Sequence, residues 1–131
     1  MTIIPAKYAP HIQAVLRIVV GLVFLQHGLS KLIDFPHMQG LDQMPVALKW
    51  SAGTIETLGG LALLVGFQVR LAAFVLSGLA AVAYFMVHAP MGFFPALNYG
   101  EPAVLLCFAC LYLSTAGSGA FSLDGAKAVT A

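Results

Sequence analysis

Six residues able to exchange protons or hydrogen-bond a ligand stand in or beside strongly apolar stretches of this chain: His27, Lys31, Glu56, His88, Asn98 and Glu101. Ionisable side chains are costly in such surroundings, so their presence points to a task. Together they supply one cation, two carboxylates, two imidazoles and an amide. Imidazoles and carboxylates exchange protons with water, and an ammonium or imidazole N–H can hydrogen-bond a carbonyl oxygen. Glu56, His88 and Glu101 are therefore the candidate catalytic, proton-exchanging groups, and His27, Lys31 and Asn98 the candidate cofactor-binding ones.

Each has a plainer alternative. Lys31 can snorkel to an interface. Asn98-Tyr99-Gly100-Glu101 has the spacing of a helix capping box, while Pro102 fits a first helical position and makes Glu101 itself a candidate cap. His88 can be a satisfied residue at a helix end. Glu56 has no partner nearby in sequence, and its expected partners are Lys31 or His27. Cys107-Phe108-Ala109-Cys110 has the spacing of a redox dithiol. About 100° of rotation per residue turns this pair away from Glu101, and buried cysteine packs as a small hydrophobe, so a structural role is expected.

The elements that must hold these groups follow from composition. Of 131 residues, 60% are hydrophobic and 8% charged, against about 25% charged in an ordinary soluble domain. Six Lys/Arg and five Asp/Glu cannot clothe a water-soluble surface of this size. The expected fold is all-α, an integral membrane four-helix bundle in one domain. A net charge of +1 argues against a nucleic-acid partner. Interruptions by Pro, Gly and charge place the spans at about residues 12–33, 50–66, 71–89 and 101–116. Lys7, Arg17, Arg70 and Lys127 fall on one side and Lys31 and Lys49 on the other, which puts both termini in the cytoplasm. Between the first two spans Met38, Leu41, Met44 and Leu48 recur at helical spacing, suggesting a short amphipathic piece at the interface, interrupted by Pro45.

With that topology all six polar residues fall in the outward half. Helical spacing aligns Arg17, Val20, Phe24, His27 and Lys31 on the first helix, Gly53, Glu56, Gly60 and Leu63 on the second, and Ser77, Ala81, Tyr84 and His88 on the third. Small residues on these faces suit close helix contact. The expected result is one polar pocket open to the outer face.

The same residues carry a family pattern. Arg17-(x3)-Gly21-(x5)-His27-Gly28-(x2)-Lys31 resembles the opening of the DoxX family of small bacterial membrane proteins. Glu56-(x2)-Gly59-Gly60, Gly66, Arg70, His88, Glu101 and the closing Gly117-Ser118-Gly119-Ala120-Phe121-Ser122-Leu123-Asp124 follow in the family's order. Gly117-Ser118-Gly119 replaces its usual Gly-Pro-Gly, and the cysteine pair is not part of the pattern. The resemblance implies a multi-pass bundle in the bacterial inner membrane and a link to respiratory or oxidative-stress chemistry, since relatives include a subunit of a thiosulfate:quinone oxidoreductase. It implies a quinone as cofactor, bound through Lys31 or His27, and a soluble or membrane redox partner protein beside the lipid bilayer, in a homo-oligomer or hetero-complex. A haem or transition-metal site anchored on His27 and His88 is the alternative, and a non-enzymatic scaffold or assembly factor is another.

Overall fold

A computed structural model of the chain describes residues 3–125, and among them there are helices and turns but no strand. Four α-helices follow one another: α1 (Ala9–Ile33), α2 (Val46–Val65), α3 (Val69–Ala83) and α4 (Glu101–Ala116). Their ends lie where the backbone chemistry demands. Pro10 and Pro102 occupy the first turns of α1 and α4, where a missing N–H costs nothing. Asp34 ends α1 in the left-handed conformation. Gly66, with φ +70°, ends α2, a position that glycine fills without a Cβ clash.

Two corrections to the sequence reading follow. The second helix begins at Val46, directly after an extended Pro45, rather than near Trp50. It absorbs Leu48, so no continuous amphipathic piece forms ahead of it. Only a 3-10 turn at Leu41–Gln43 does, preceded by Gly40 at φ +87°. His37 Nδ1 donates to Asp34 Oδ1 at 2.8 Å on the surface of the same connection.

α1 packs chiefly along α2, and α3 along α4. Val20 and Phe24 of α1 meet Leu63, Leu76 and Leu113 in the core. The α1–α2 seam is unusually close, because Gly28 faces Thr57 and Gly60 faces the backbone of Gly21 and Leu25. Outside, large apolar side chains remain uncovered on every helix, among them Leu22, Leu58, Phe74 and Leu105. Two helical stretches, Ala6–Ile33 and Val69–Met91, are long and apolar enough to cross a membrane. α4, with 16 residues, spans about 24 Å.

The third helix does not end cleanly. A π turn over Tyr84–His88 and a 3-10 turn over Ala89–Met91 continue it. Pro90 stops it there, as its interruption of the sequence suggests.

Candidate functional site

The stripe of α1 that carries Val20 and Phe24 into the core also carries His27 and Lys31, one turn apart. Facing it, α2 turns Gly53, Glu56, Gly60 and Leu63 inward, and all four are buried. Lys31 Nζ donates to Glu56 Oε2 at 2.7 Å, with the two side chains 9% and 10% exposed. The ammonium also lies 3.4 Å from the His27 carbonyl. Glu56, which has no neighbour in sequence to neutralise it, thus takes Lys31 as its counter-ion across the α1–α2 seam. The seam admits this approach because Gly53 leaves room where a Cβ would meet Lys31 Cβ and the Leu32 side chain at 2.9 Å.

His27 Nδ1 lies 2.8 Å from the Val23 carbonyl. A carbonyl only accepts, so Nδ1 carries the proton, and in the neutral ring Nε2 is a lone-pair acceptor. Nδ1 is thus engaged within α1, and Nε2 is the ring nitrogen left for any further partner.

The other three candidates stand elsewhere. His88 Nδ1 donates to the Asn98 carbonyl at 3.0 Å, which again leaves Nε2 as the acceptor. Asn98 is fully buried. Its Nδ2 donates to the Gly92 carbonyl at 2.6 Å and lies 3.4 Å from the Tyr84 hydroxyl, while its Oδ1 accepts from Gly100 N at 2.8 Å. Tyr84 donates to the Phe93 carbonyl and stacks on the His88 ring at 6.3 Å. Asn98 is thus engaged with the backbone of its own loop. It is not a helix cap either: the N-cap of α4 is Gly100, with no side-chain cap, and the Asn98 amide oxygen accepts from Gly100 N ahead of the helix. Glu101 is exposed on the first turn of α4 and belongs to neither set.

The structure therefore joins His27, Lys31 and Glu56 in one group and His88, Asn98 and Tyr84 in a second, and among the described residues no hydrogen bond connects the two. Beside the second lies a cavity of ≈ 390 Å³ with apolar walls, including Tyr84, Phe93, Cys107 and Phe108. Among the described residues no three His, Cys, Asp or Glu side chains come together to hold a metal ion. Cys107 and Cys110 are both free thiols. Cys110 is sealed in the core, and Ser77 Oγ donates to the Cys107 carbonyl at 2.8 Å.

Sequence reasoning placed Arg17 on the inward stripe of the first helix and counted it for topology, but missed what its side chain holds. The side chain is fully buried, and its five N–H groups all reach carbonyls. Nη1 donates to Leu63 and, at 3.0 Å, to Leu64; Nε donates to Ser118 at 2.9 Å; Nη2 donates to Ala120 at 3.2 Å and Phe121 at 2.8 Å. Asp124 meanwhile accepts from Gln68 N and Val69 N at 2.9 and 3.0 Å, capping α3 from far along the chain. The signal was present in the closing 117–124 stretch, which has too many small and polar residues for a membrane-facing tail. Lys127 lies outside the described residues, so the charge count that favoured cytoplasmic termini rests there on sequence alone.

Comparison with known proteins agrees with the pattern of these residues. An uncharacterized protein of Haemophilus influenzae is 42% identical over 123 residues, covering 90% of this chain and 92% of that protein. The Bacillus subtilis protein named "Putative oxidoreductase CatD" is 28% identical over 117 residues, 83% of this chain and 81% of its own. No solved structure matches. The DoxX family model matches residues 12–89, a stretch that holds Arg17, His27, Lys31, Glu56 and His88. The chain belongs to the DoxX family.

Proposed function

We propose that this protein is a redox-associated subunit of the bacterial inner membrane, with four membrane-crossing helices, both termini in the cytoplasm, and a quinone site at His27, Lys31 and Glu56. The observation that carries this reading is the Lys31–Glu56 pair, held at 2.7 Å with both side chains about nine-tenths covered. Removing two charges from water is costly, and a surface-active role for Lys31 alone needs no such burial. The uncovered apolar side chains on every helix suit a surrounding of lipid, and the oxidoreductase name of the B. subtilis relative suits a redox role.

The residues fit a quinone in kind. A bound quinone supplies two-electron, two-proton redox chemistry. Lys31 has three N–H donors, of which two point at Glu56 and the His27 carbonyl, leaving one for a ligand oxygen. His27 Nε2 is a second group able to hydrogen-bond the ligand. His88 and Glu101 exchange protons with the outer aqueous face, and Asn98 positions His88 through its backbone carbonyl. A partner protein carries the electrons, since the chain has no recognised flavin or nucleotide motif.

The metal or haem alternative has less support, because its anchors His27 and His88 sit in separate hydrogen-bond groups. Titrating the protein in lipid nanodiscs with a short-chain ubiquinone or menaquinone analogue tests the quinone reading. Saturable binding that Lys31→Ala and Glu56→Gln each weaken is the expected result. Absence of saturable binding, or binding indifferent to both substitutions, rejects it in favour of a scaffold.

A further inference from the structure

The connection from α3 to α4 has the wrong exterior for a loop in water. Residues 89–100 contain no Asp, Glu, Lys, Arg or His. Met91, Phe93, Phe94, Leu97 and Tyr99 are each between 60% and 83% exposed, while Asn98, the amide that could meet water, is fully buried. Large apolar side chains gathered on one short connection form a patch of the kind that marks contact with another protein or with lipid.

The backbone is arranged in the same sense. A loop in water can leave its carbonyls to the solvent, whereas here the protein itself supplies donors to those of Gly92, Phe93, Phe94, Pro95, Asn98 and Gly100. Asn98 Nδ2 donates to Gly92 at 2.6 Å, the Tyr84 hydroxyl to Phe93, and His88 Nδ1 to Asn98 at 3.0 Å. The N–H groups of Leu97 and Asn98 serve Phe94, that of Gly100 serves Pro95, and that of Val104 serves Gly100. Non-helical backbone is tolerated against hydrocarbon only where such partners are provided, and Tyr84, His88 and Asn98 provide half of them.

The surroundings favour lipid over a protein partner. Phe85 of the π turn, Phe93 of the connection and Phe108 of α4 are all exposed and line one apolar cavity, so the patch is continuous with helix faces that the four-helix reading sets against lipid. Glu101, exposed on the first turn of α4, sets the depth, because a carboxylate belongs at the headgroups rather than in the hydrocarbon centre. Tyr99 beside it suits the same level.

We propose that residues 91–99 form a membrane-anchoring segment lying in the lipid–water interface of the leaflet where α4 begins. Phe93, Phe94 and Leu97 enter the acyl boundary, and the hydrogen bonds from Tyr84, His88 and Asn98 are what allow the backbone to lie there. The proposal rests on the membrane reading above and is independent of the quinone site.

The test reads depth by fluorescence quenching. The chain has one tryptophan, Trp50. With Trp50→Phe as background, Phe94→Trp and, separately, Leu97→Trp report from the connection, and Phe74→Trp reports from the exposed face of α3. Each full-length variant is reconstituted in phosphatidylcholine vesicles, plain or brominated either near the headgroup or near the chain end, and titrated with aqueous iodide. The two loop reporters are expected to lose most of their emission to the shallow bromine, less to the deep one and little to iodide. Circular dichroism checks folding, and one folded loop reporter suffices. Quenching by iodide without quenching by bromine puts the connection in water, and resistance to both quenchers puts it beneath a second copy or a partner chain. Either result, or stronger quenching by the deep bromine, overturns the proposal while a lipid-quenched Phe74→Trp keeps the membrane reading. A Phe74→Trp reporter indifferent to brominated lipid removes both.

Discussion

Lys31 and Glu56 meet at 2.7 Å from opposite sides of the α1–α2 seam, with 9% and 10% of their side chains exposed. A pair covered to this extent is held by mutual compensation: neither charge is stable there without the other. Breaking such a pair by removing one partner costs about 3–5 kcal/mol, whereas replacing both by apolar groups is often close to neutral. Lys31→Met and Glu56→Leu are therefore each expected to lower the unfolding midpoint markedly, and the double variant to regain most of the loss. A double-mutant cycle of thermal unfolding in nanodiscs measures this, and two additive losses would show that the pair does not couple.

Much of this arrangement was legible in the sequence, and its failures have a common cause. Glu56 announced a partner because a lone carboxylate in an apolar helix requires one, and helical spacing put Lys31 on a matching stripe. The prolines at 10, 45, 90 and 102 and the glycines at 66 and 117 punctuate the helices by local rules. What stayed hidden depends on contacts distant in the chain or on a choice between neighbouring hydrogen bonds. Arg17 was legible as an inward-facing charge, but its partners were not, because nothing local reveals that carbonyls 101 and more residues away return to it. Asn98 fitted a capping pattern, yet its oxygen bonds to Gly100 N. The gathering of six polar residues into one pocket rested on helix order alone, and the structure puts His27, Lys31 and Glu56 on the α1–α2 seam and His88 and Asn98 in the segment that joins α3 to α4, with Glu101 exposed.

The α1–α2 seam depends on the missing side chain of Gly28. A Cβ there would lie 2.3 Å from Thr57 Oγ1, 2.7 Å from Thr57 N and 2.9 Å from the Gly53 carbonyl. Two of those three atoms are backbone, so rotating Thr57 cannot relieve the clash and the helices must separate. Gly28→Ala is expected to destabilise by about 1–3 kcal/mol. It should also weaken the Lys31–Glu56 pair farther along the same seam. Gly78 is the control, since a Cβ there meets nothing within 4 Å, and Gly78→Ala is expected to be neutral or to stabilise by up to about 1 kcal/mol. Denaturation of both variants in the same detergent decides it. Equal behaviour of the two would refute the close-contact reading.

Arg17 and Asp124 secure one end of the bundle by different means. Arg17 fills five carbonyls with a planar fork, and a lysine, with three donors on one atom, cannot reach them all. Arg17→Lys is expected to cost about 3 kcal/mol or more through carbonyls left buried and unpaired. Asp124→Ala removes a cap worth about 1 kcal/mol from α3. Limited proteolysis gives a local readout besides the unfolding midpoint. Cleavage within residues 117–125 should accelerate strongly in Arg17→Lys and mildly in Asp124→Ala. An Arg17→Lys protein as resistant as the wild type would mean that the segment is held by something other than the guanidinium.

Cys107 and Cys110 provide a test of the packing on the opposite side of the molecule. They share a helix at i and i+3 but differ in surroundings. Cys107 lines the apolar cavity beside Tyr84 and Phe108, while Cys110 has no exposed surface and packs with Leu76 and Leu113. Thiol reactivity requires access, so a small lipid-soluble maleimide should modify Cys107 in the folded protein and reach Cys110 only after denaturation. Mass spectrometry of labelled peptides, with Cys107→Ser as the control, distinguishes them. Cys110→Ser should cost about 1–3 kcal/mol by placing a hydroxyl among apolar side chains, whereas Cys107→Ser, beside the Ser77 hydroxyl at 3.5 Å from its sulfur, should cost less. A dithiol acting as a redox couple would instead show both sulfurs protected together after mild oxidation and both released by reductant. That result would displace the packing role assigned to Cys110.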